Sequence, residues 1–149
     1  MRTGTRLGID VGSVRVGLSR SDRDGLMAVP IATAPRSEAL LQVLLYITEY
    51  EPLEVIVGLP LSLSGGDTAS TTDSRVFARE LAGQVTCPVR MVDERLSTVQ
   101  AHRGLRRAGR SAKNSKNIVD QAAAVILLQH ALDAERLQGV PPGFLAESP

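Results

Sequence analysis

Four acidic residues carry most of the chemistry on offer in this sequence: Asp10, the adjacent Asp93 and Glu94, and Asp120. Asp10 lies in Arg6-Leu7-Gly8-Ile9-Asp10-Val11-Gly12-Ser13-Val14-Arg15-Val16-Gly17-Leu18-Ser19, an apolar stretch that surrounds one carboxylate with glycines. Burying that carboxylate unpaired would cost several kcal/mol, so it needs a partner. A metal ion is the natural one; backbone amides of its own turn are the alternative. Carboxylates and waters are what Mg2+ or Mn2+ prefers, and clustered like charges tolerate one another when a cation neutralises them. Two such ions about 4 Å apart can activate a water and stabilise the leaving oxygen of a phosphodiester. If the chain gathers these acids, the chemistry they suggest is that of a metal-dependent nuclease.

The charge distribution points to the same class of substrate. The net charge is only +1, yet Arg103, Arg106, Arg107, Arg110, Lys113 and Lys116 put +6 into one segment without an acid, which leaves about −5 for everything else. A polyanion such as a phosphate backbone is the obvious partner, with strong salt dependence; a solvated basic turn is the alternative. Aromatic residues are 3% of the chain and tryptophan is absent. Base stacking on single strands therefore has little support, and recognition of shape and backbone is favoured.

These residues need a scaffold that brings distant parts of the chain together. Leu7, Ile9 and Val11 alternate with Gly8, Asp10 and Gly12, and Val14, Val16 and Leu18 resume the period, which predicts a hairpin closed at Gly12-Ser13. A third strand is expected over 26–33, with Pro30 marking an edge or an irregularity. Ser37 should cap a helix reaching Tyr50, with Leu40, Leu41, Leu44, Leu45 and Ile47 on its apolar face. The nearly continuous apolar run 54–58 predicts a strand covered on both faces, followed by a turn-rich loop where open α/β sheets place ligand groups. A helix over 71–84, with Val76, Phe77 and Leu81 inward, leads to a fifth strand over 88–92.

Asp93 and Glu94 end that strand, and alternation lets only one of them join Asp10. Otherwise the pair is a solvated strand end neutralised by Arg95. Ser97 or Thr98 can cap a helix carrying the first basic residues, residues 111–117 read as a mobile loop, and an apolar helix should run from Ile118 to Leu137. Asp120 would stand in its first turn, either as a carboxylate favoured by the helix dipole beside an Asn117 cap or carried over the sheet toward Asp10.

The bounds set by composition agree. With 149 residues, 43% hydrophobic and 22% charged, the chain suits one globular domain, here expected over 1–138 with a loosely ordered tail over 139–149. No apolar run approaches the length of a membrane span, and Met1-Arg2-Thr3 leads straight into a strand, so a cytoplasmic protein without a membrane partner is expected. Cys87 is the single cysteine and reads as a small half-buried residue. His102 and His130 read as ordinary helix residues.

Four motifs in order, Gly8-Ile9-Asp10-Val11-Gly12 with Arg15-Val16-Gly17, Val57-Gly58-Leu59-Pro60, Asp93-Glu94-Arg95-Leu96-Ser97-Thr98, and Asp120-Gln121-Ala122-Ala123-Ala124, resemble the YqgF (RuvX) family across nearly the whole domain. That resemblance implies an α/β, ribonuclease H-like fold: a five-stranded mixed sheet, three antiparallel strands then two parallel, flanked by helices. It implies a nuclease that matures the 5′ end of precursor 16S ribosomal RNA, or a relative of the RuvC-type resolvases that cuts four-way DNA as a homodimer. Asp10, Glu94 and Asp120 match the family's three acids and would be both metal ligands and catalytic residues for Mg2+ or Mn2+, as two ions. Asp93 is the substitute for Glu94. Arg15, Arg95, Arg106, Arg107, Arg110, Lys113 and Lys116 would position the nucleic-acid backbone. Residues 61–71 depart from the family picture in being rich in Gly, Ser and Thr.

Two other classes compete. The first hairpin also resembles the phosphate-binding hairpin of the actin, sugar-kinase and heat-shock ATPases, but that group closes two such domains over a nucleotide, and a Gly-Lys-[Ser/Thr] loop is absent here. A nucleic-acid-binding scaffold without catalysis would need only the fold and the basic segment.

Overall fold

The computed structural model describes residues 1–95 and 112–147, with side chains described outside 112–120. The strands are β1 (Arg6–Val11), β2 (Arg15–Ser21), β3 (Ala28–Pro35), β4 (Glu54–Leu59), β5 (Val89–Asp93) and β6 (Phe144–Leu145), and the helices are α1 (Ala39–Tyr50), α2 (Ala69–Ala82) and α3 (Ala112–Gln138). They form one mixed sheet in the order β3-β2-β1-β4-β5-β6. β1, β2 and β3 are antiparallel neighbours, while β4 runs parallel to β1 and β5 parallel to β4. The expected α/β class and strand directions are therefore observed. Among the described residues, no helix is long and apolar enough to cross a membrane.

The sheet has six strands where five are expected. Residues 144–145, assigned from sequence to a loose tail, pair antiparallel with β5 through Arg90↔Leu145 and Met91↔Phe144. Gly143 makes this return possible: its φ is +75° and a Cβ there would lie 1.9 Å from the Met91 carbonyl oxygen. A two-residue strand has no sequence period to detect.

Alternation along the strands splits the core into two layers. Leu7, Ile9, Val11, Val16, Leu18, Val55, Val57 and Met91 face α1 and α2, meeting Ala39, Val43, Phe77 and Leu81. Ile56 and Val92 face the other way and meet Leu127, Leu128, Ala131 and Leu132 of α3. Phe77, Leu81, Leu127 and Leu128 have no exposed surface, and each such burial stabilises the fold by about 1.5–3 kcal/mol.

Several element ends differ from expectation. Ser37 does not cap α1, because Arg36–Glu38 form a 3-10 turn and the helix starts at Ala39 without a side-chain cap. Its inner face is centred on Ala39 and Val43, so Leu41 and Leu45 remain exposed. α2 starts earlier than expected, at Ala69, since Thr68 and Thr71 form a capping box. Val76 on α2 is exposed rather than inward. β3 starts and ends two residues later than expected; it is an edge strand, and its register shifts opposite Leu18 and Ser19, close to Pro30. α3 begins at Ala112, so residues 112–117, expected as a loop, are helical, and Asp120 lies in the helix interior rather than its first turn. That run is polar but holds neither Gly nor Pro, and Ala and Lys are good helix formers. The expected helix start at Ser97 or Thr98 and the reading of His102 lie outside the described residues.

Two contacts fix α3 on the sheet. At Gly8 the helix comes so close that a Cβ would lie 2.8 Å from the Leu128 Cβ, and the buried Ser19 hydroxyl donates to the Ala124 carbonyl at 2.8 Å. Farther along, Glu135 accepts from Arg2 Nε at 2.9 Å and from Arg6 Nη2 at 2.9 Å, while Glu54 accepts from Arg90 Nε at 2.9 Å and Arg2 Nη2 at 3.1 Å. Arg6, Glu54 and Glu135 are 2%, 1% and 5% exposed. Burial opposes ionisation of Glu135, but the hydrogen bonds and charges of Arg2 and Arg6 outweigh it and hold its carboxyl below the ordinary 4.5. Glu135→Gln leaves Arg6 buried beside a neutral group and is expected to destabilise the protein by about 3–5 kcal/mol at neutral pH. A lowered folded value means that the carboxylate's contribution is complete above about 4.5 and fades as pH falls through the folded value. Urea titrations of both proteins should therefore show their gap narrowing in acid; a gap independent of pH would contradict this.

Candidate active site

Asp10 sits one residue past Ile9, which pairs with Val57, so Gly58 is the next residue on the neighbouring strand. On the other side Asp10 pairs with Gly17, and Gly17 with Thr33. A row of Thr33, Gly17, Asp10, Gly58 and Val92 thus crosses the sheet, with Gly58 paired to Val92. Glycines stand beside Asp10 on both adjoining strands, Gly17 on β2 and Gly58 on β4. Val92 belongs to the face covered by α3. The carboxylate row therefore lies beneath that helix.

Glu94 follows Val92 by two residues and keeps its facing, because its N–H still donates to the Leu59 carbonyl at 3.3 Å. Its side chain fills the space vacated by Gly58: a Cβ at Gly58 would lie 2.0 Å from Glu94 Oε2 and 3.1 Å from Leu127 Cδ2. Glu94 is 9% exposed. Burial, then the charge of Asp10, a hydrogen bond with Asp10 and the charge of Asp93 push its carboxyl up to about 9. Burial and the neighbouring acid thus favour the protonated form of Glu94, which can share a hydrogen bond with Asp10.

Asp93 is one residue earlier and faces the other way. It accepts from Arg95 Nε at 2.9 Å and Nη2 at 2.5 Å and from the Arg95 backbone N–H at 3.0 Å. The Arg95 hydrogen bonds, working against burial, hold its carboxyl below the usual range. Adjacent acids thus have opposite fates: Glu94 meets Asp10, and Asp93 is neutralised by arginine.

The Asp10–Glu94 pair suits a hard divalent cation, since both groups offer oxygen and one retains a proton in the place of positive charge. Among the described residues, no group of three or more metal-ligating side chains occurs. The backbone of Asp120, Lys113 and Lys116 lies in α3, and their side chains, with Arg106, Arg107 and Arg110, lie outside the described residues. Arg15 follows the facing of Gly17 and Ser19 and stands at the Asp10 end of β2, opposite Pro35. A cavity of about 420 Å3 at this end is lined, among the described residues, by Leu63, Asp93, Arg95 and His130. His130 is exposed, as its ordinary helix reading allows, but it faces this cavity. Cys87 lies elsewhere, half-buried, its thiol pushed up by burial.

Gly58 stands in one of the four motifs, but its role in the site could not be read there. Gly58 matters through the side chain it lacks, and the neighbour that needs the space is 36 residues away. The usable signal was the glycine that interrupts an otherwise apolar strand.

The fold is similar to that of a solved protein, Thermus thermophilus RuvC, over 94% of this chain and 99% of its own, with TM-score 0.52 and 18% identity. The same protein in complex with Holliday junction substrate gives TM-score 0.54 at 17% identity, with the same coverage. Sheet order and flanking helices therefore place the chain in the RuvC-like class of the ribonuclease H-like fold. Within it the chain belongs to the RuvX family, whose model, described as Holliday junction resolvase, matches residues 4–134. A protein of Clavibacter michiganensis subsp. michiganensis is 53% identical over 149 residues, covering 97% of this chain and 92% of the relative. One of Leifsonia xyli subsp. xyli is 54% identical over 150 residues, covering 99% and 97%. One of Streptomyces coelicolor is 48% identical over 147 residues, covering 96% and 88%. All three carry the name "Putative pre-16S rRNA nuclease".

Two predictions follow the geometry of Glu94. The folded carboxyl keeps its proton up to about 9, whereas the unfolded chain releases it near 4.5. Folding therefore takes up a proton in that window, and the stability of chelator-treated protein is expected to fall as pH rises through it. Glu94→Gln should flatten this slope in urea titrations; an unchanged slope would assign it to another group. Gly58→Ala should displace the Glu94 carboxyl toward water, flatten the same slope and destabilise the fold by about 1–3 kcal/mol.

Proposed function

We propose that this protein is a divalent-metal-dependent nuclease that cleaves phosphodiester bonds in precursor 16S ribosomal RNA during maturation of its 5′ end, in the cytoplasm. The observation that carries this reading is the buried contact of Glu94 with Asp10 in the space left by Gly58. Two acidic groups in contact at low exposure are costly, whether both ionise or one is held protonated, in a protein that has no use for them. The family and the names of its relatives give the same direction.

Asp10 and Glu94 would hold the cation, Mg2+ or Mn2+, with Asp120 as the third acid and two ions as the full complement. Bound there, it would supply positive charge against the phosphate and make a water more acidic. Glu94 must lose its proton for this, so binding releases a proton and strengthens as pH rises. Arg15, on the same sheet face, would hold the phosphate backbone. Arg106, Arg107, Arg110, Lys113 and Lys116 would extend that hold along the strand. Their combined charge would make binding steeply salt-dependent.

A second reading, cleavage of four-way DNA, is favoured by the family description and by likeness to RuvC. It would need a homodimer whose two sites are related by a twofold axis.

The test is cleavage of a labelled precursor rRNA fragment and a synthetic four-way junction, with Mg2+, Mn2+ or chelator. Wild type should cut only with metal, and Asp10→Asn and Glu94→Gln should each lower turnover by at least about 100-fold, exceeding the loss typical of a residue that merely supports a ligand. The preferred substrate decides between RNA and junction. Binding of both without cutting would leave a scaffold.

A further inference from the structure

The strap between β5 and the loop that follows β4 is a feature that the carboxylate chemistry does not use. Arg95 donates Nε and Nη2 to Asp93, and its third nitrogen, Nη1, donates to the Leu63 carbonyl at 3.3 Å. The carboxylate of Asp93 also accepts the Arg95 backbone N–H at 3.0 Å. This guanidinium spends donors on the protein itself in a fork that fits a carboxylate.

The loop it reaches is ordered within itself. Ser62 N–H donates to the Gly66 carbonyl at 2.9 Å, Gly65 N–H to the Ser62 carbonyl at 2.8 Å, and Gly66 N–H to the Ser62 hydroxyl at 2.9 Å. Its C-terminal end is fixed by the capping box of Thr68 and Thr71, and the Thr71 hydroxyl donates back to the Pro60 carbonyl. The tip has no apolar anchor: Leu63 is 90% exposed. Gly65, at φ +90°, lets the turn pass beneath the arginine, where a Cβ would sit 3.7 Å from Nη1. Leu61 packs against the core at the base of the loop, so it is the tip beyond it that takes its position from polar contacts, and Arg95 makes one there.

We propose that Asp93 and Arg95 are positioning residues, a strap that holds residues 61–66 as one wall of the substrate cavity, and that Arg95 acts through the loop rather than by gripping a phosphate. This rests on the nuclease reading for its substrate. The cavity borders Leu63, Asp93, Arg95 and His130, and Asp93 is the chain neighbour of Glu94, so the strap stands next to the carboxyl pair along β5. The pair is partly exposed, its side chains at 35% and 39%, and adds little to global stability, so variants fold.

The experiment separates a strap from a phosphate contact. Arg95→Ala and Asp93→Asn are each expected to raise KM for the cleaved substrate by about tenfold, the size of one lost charge-assisted hydrogen bond, with kcat within about twofold. The double variant should be no worse than either single one, because both break one unit. The salt dependence of binding should keep its slope in Arg95→Ala, whereas loss of a phosphate contact lowers that slope by about one. Arg95→Lys should fail to restore KM, since an ammonium cannot fork onto Asp93 and still reach Leu63. Amide hydrogen exchange at 62–66 should quicken in all these variants, and this readout needs no substrate. If wild type neither cuts nor binds, the nuclease reading falls, while exchange still decides the strap. If Asp93→Asn is silent, Arg95→Lys restores KM and the slope drops in Arg95→Ala, the strap is overturned and the nuclease reading stands.

Discussion

The fold is built to keep two carboxyls together that would separate if free to do so. In water Glu94 and Asp10 would repel weakly, but at 9% exposure the repulsion is several times stronger, and rotation of Glu94 into solvent would relieve it. The structure prevents that relief. Gly58 leaves a space of the right size on one side, Leu127 of α3 closes it, and the Glu94 backbone is still hydrogen-bonded to Leu59. Burial first, and then the charge of Asp10, push the Glu94 carboxyl up to about 9. The packing of α3 is thus part of the electrostatics of the site.

The two ends of the molecule handle acid in opposite ways. Away from the site, Glu54 and Glu135 are at least as deeply buried as Glu94, yet each is met by arginines of the chain itself: Arg2 and Arg90 for Glu54, Arg2 and Arg6 for Glu135. Glu94 faces a second carboxyl instead. The arginine cluster also serves the site at a distance. Glu135 and Asp120 belong to the same helix, 15 residues and so about 22 Å apart, and anchoring one end of a stiff helix sets where the other end lies. Close packing at Gly8 and the Ser19 hydroxyl bond to Ala124 prevent the helix from sliding between these points.

What was legible in the sequence follows from the range over which each cause acts. The first hairpin could be read because the period of two and the glycine turn are local. The opposite facing of Asp93 and Glu94 could be read because strand parity is arithmetic. The function of Gly58 could not, because an absent side chain announces itself only when residue 94 is folded against it. Ser37 looked like a cap, but the chain formed a 3-10 turn first, a competition between two local structures of similar cost. The start of α3 was hidden because its first turns lack apolar spacing while their residues remain good helix formers. Asp120 and the basic segment owe their place in the argument to sequence, since their side chains lie outside the described residues.

Strand parity also explains why β6 matters to a site it does not touch. Asp93 and Glu94 have the same chemistry, and their fates differ only because one faces Arg95 and the other Gly58. A slip of β5 by one residue would exchange them, sending Asp93 toward Asp10 and Glu94 away. A strand at an open edge is the one most easily shifted. In this sheet β5 is paired on both sides, with β4 from Val55↔Val89 to Leu59↔Asp93 and with β6 at Arg90 and Met91. The short return through Gly143 closes the edge where it would be weakest, and with Gly58 opposite Val92 it leaves one register in which the longer acid reaches Asp10. The two residues of β6 therefore belong to the mechanism that selects Glu94, although they lie on the far side of β5 from it.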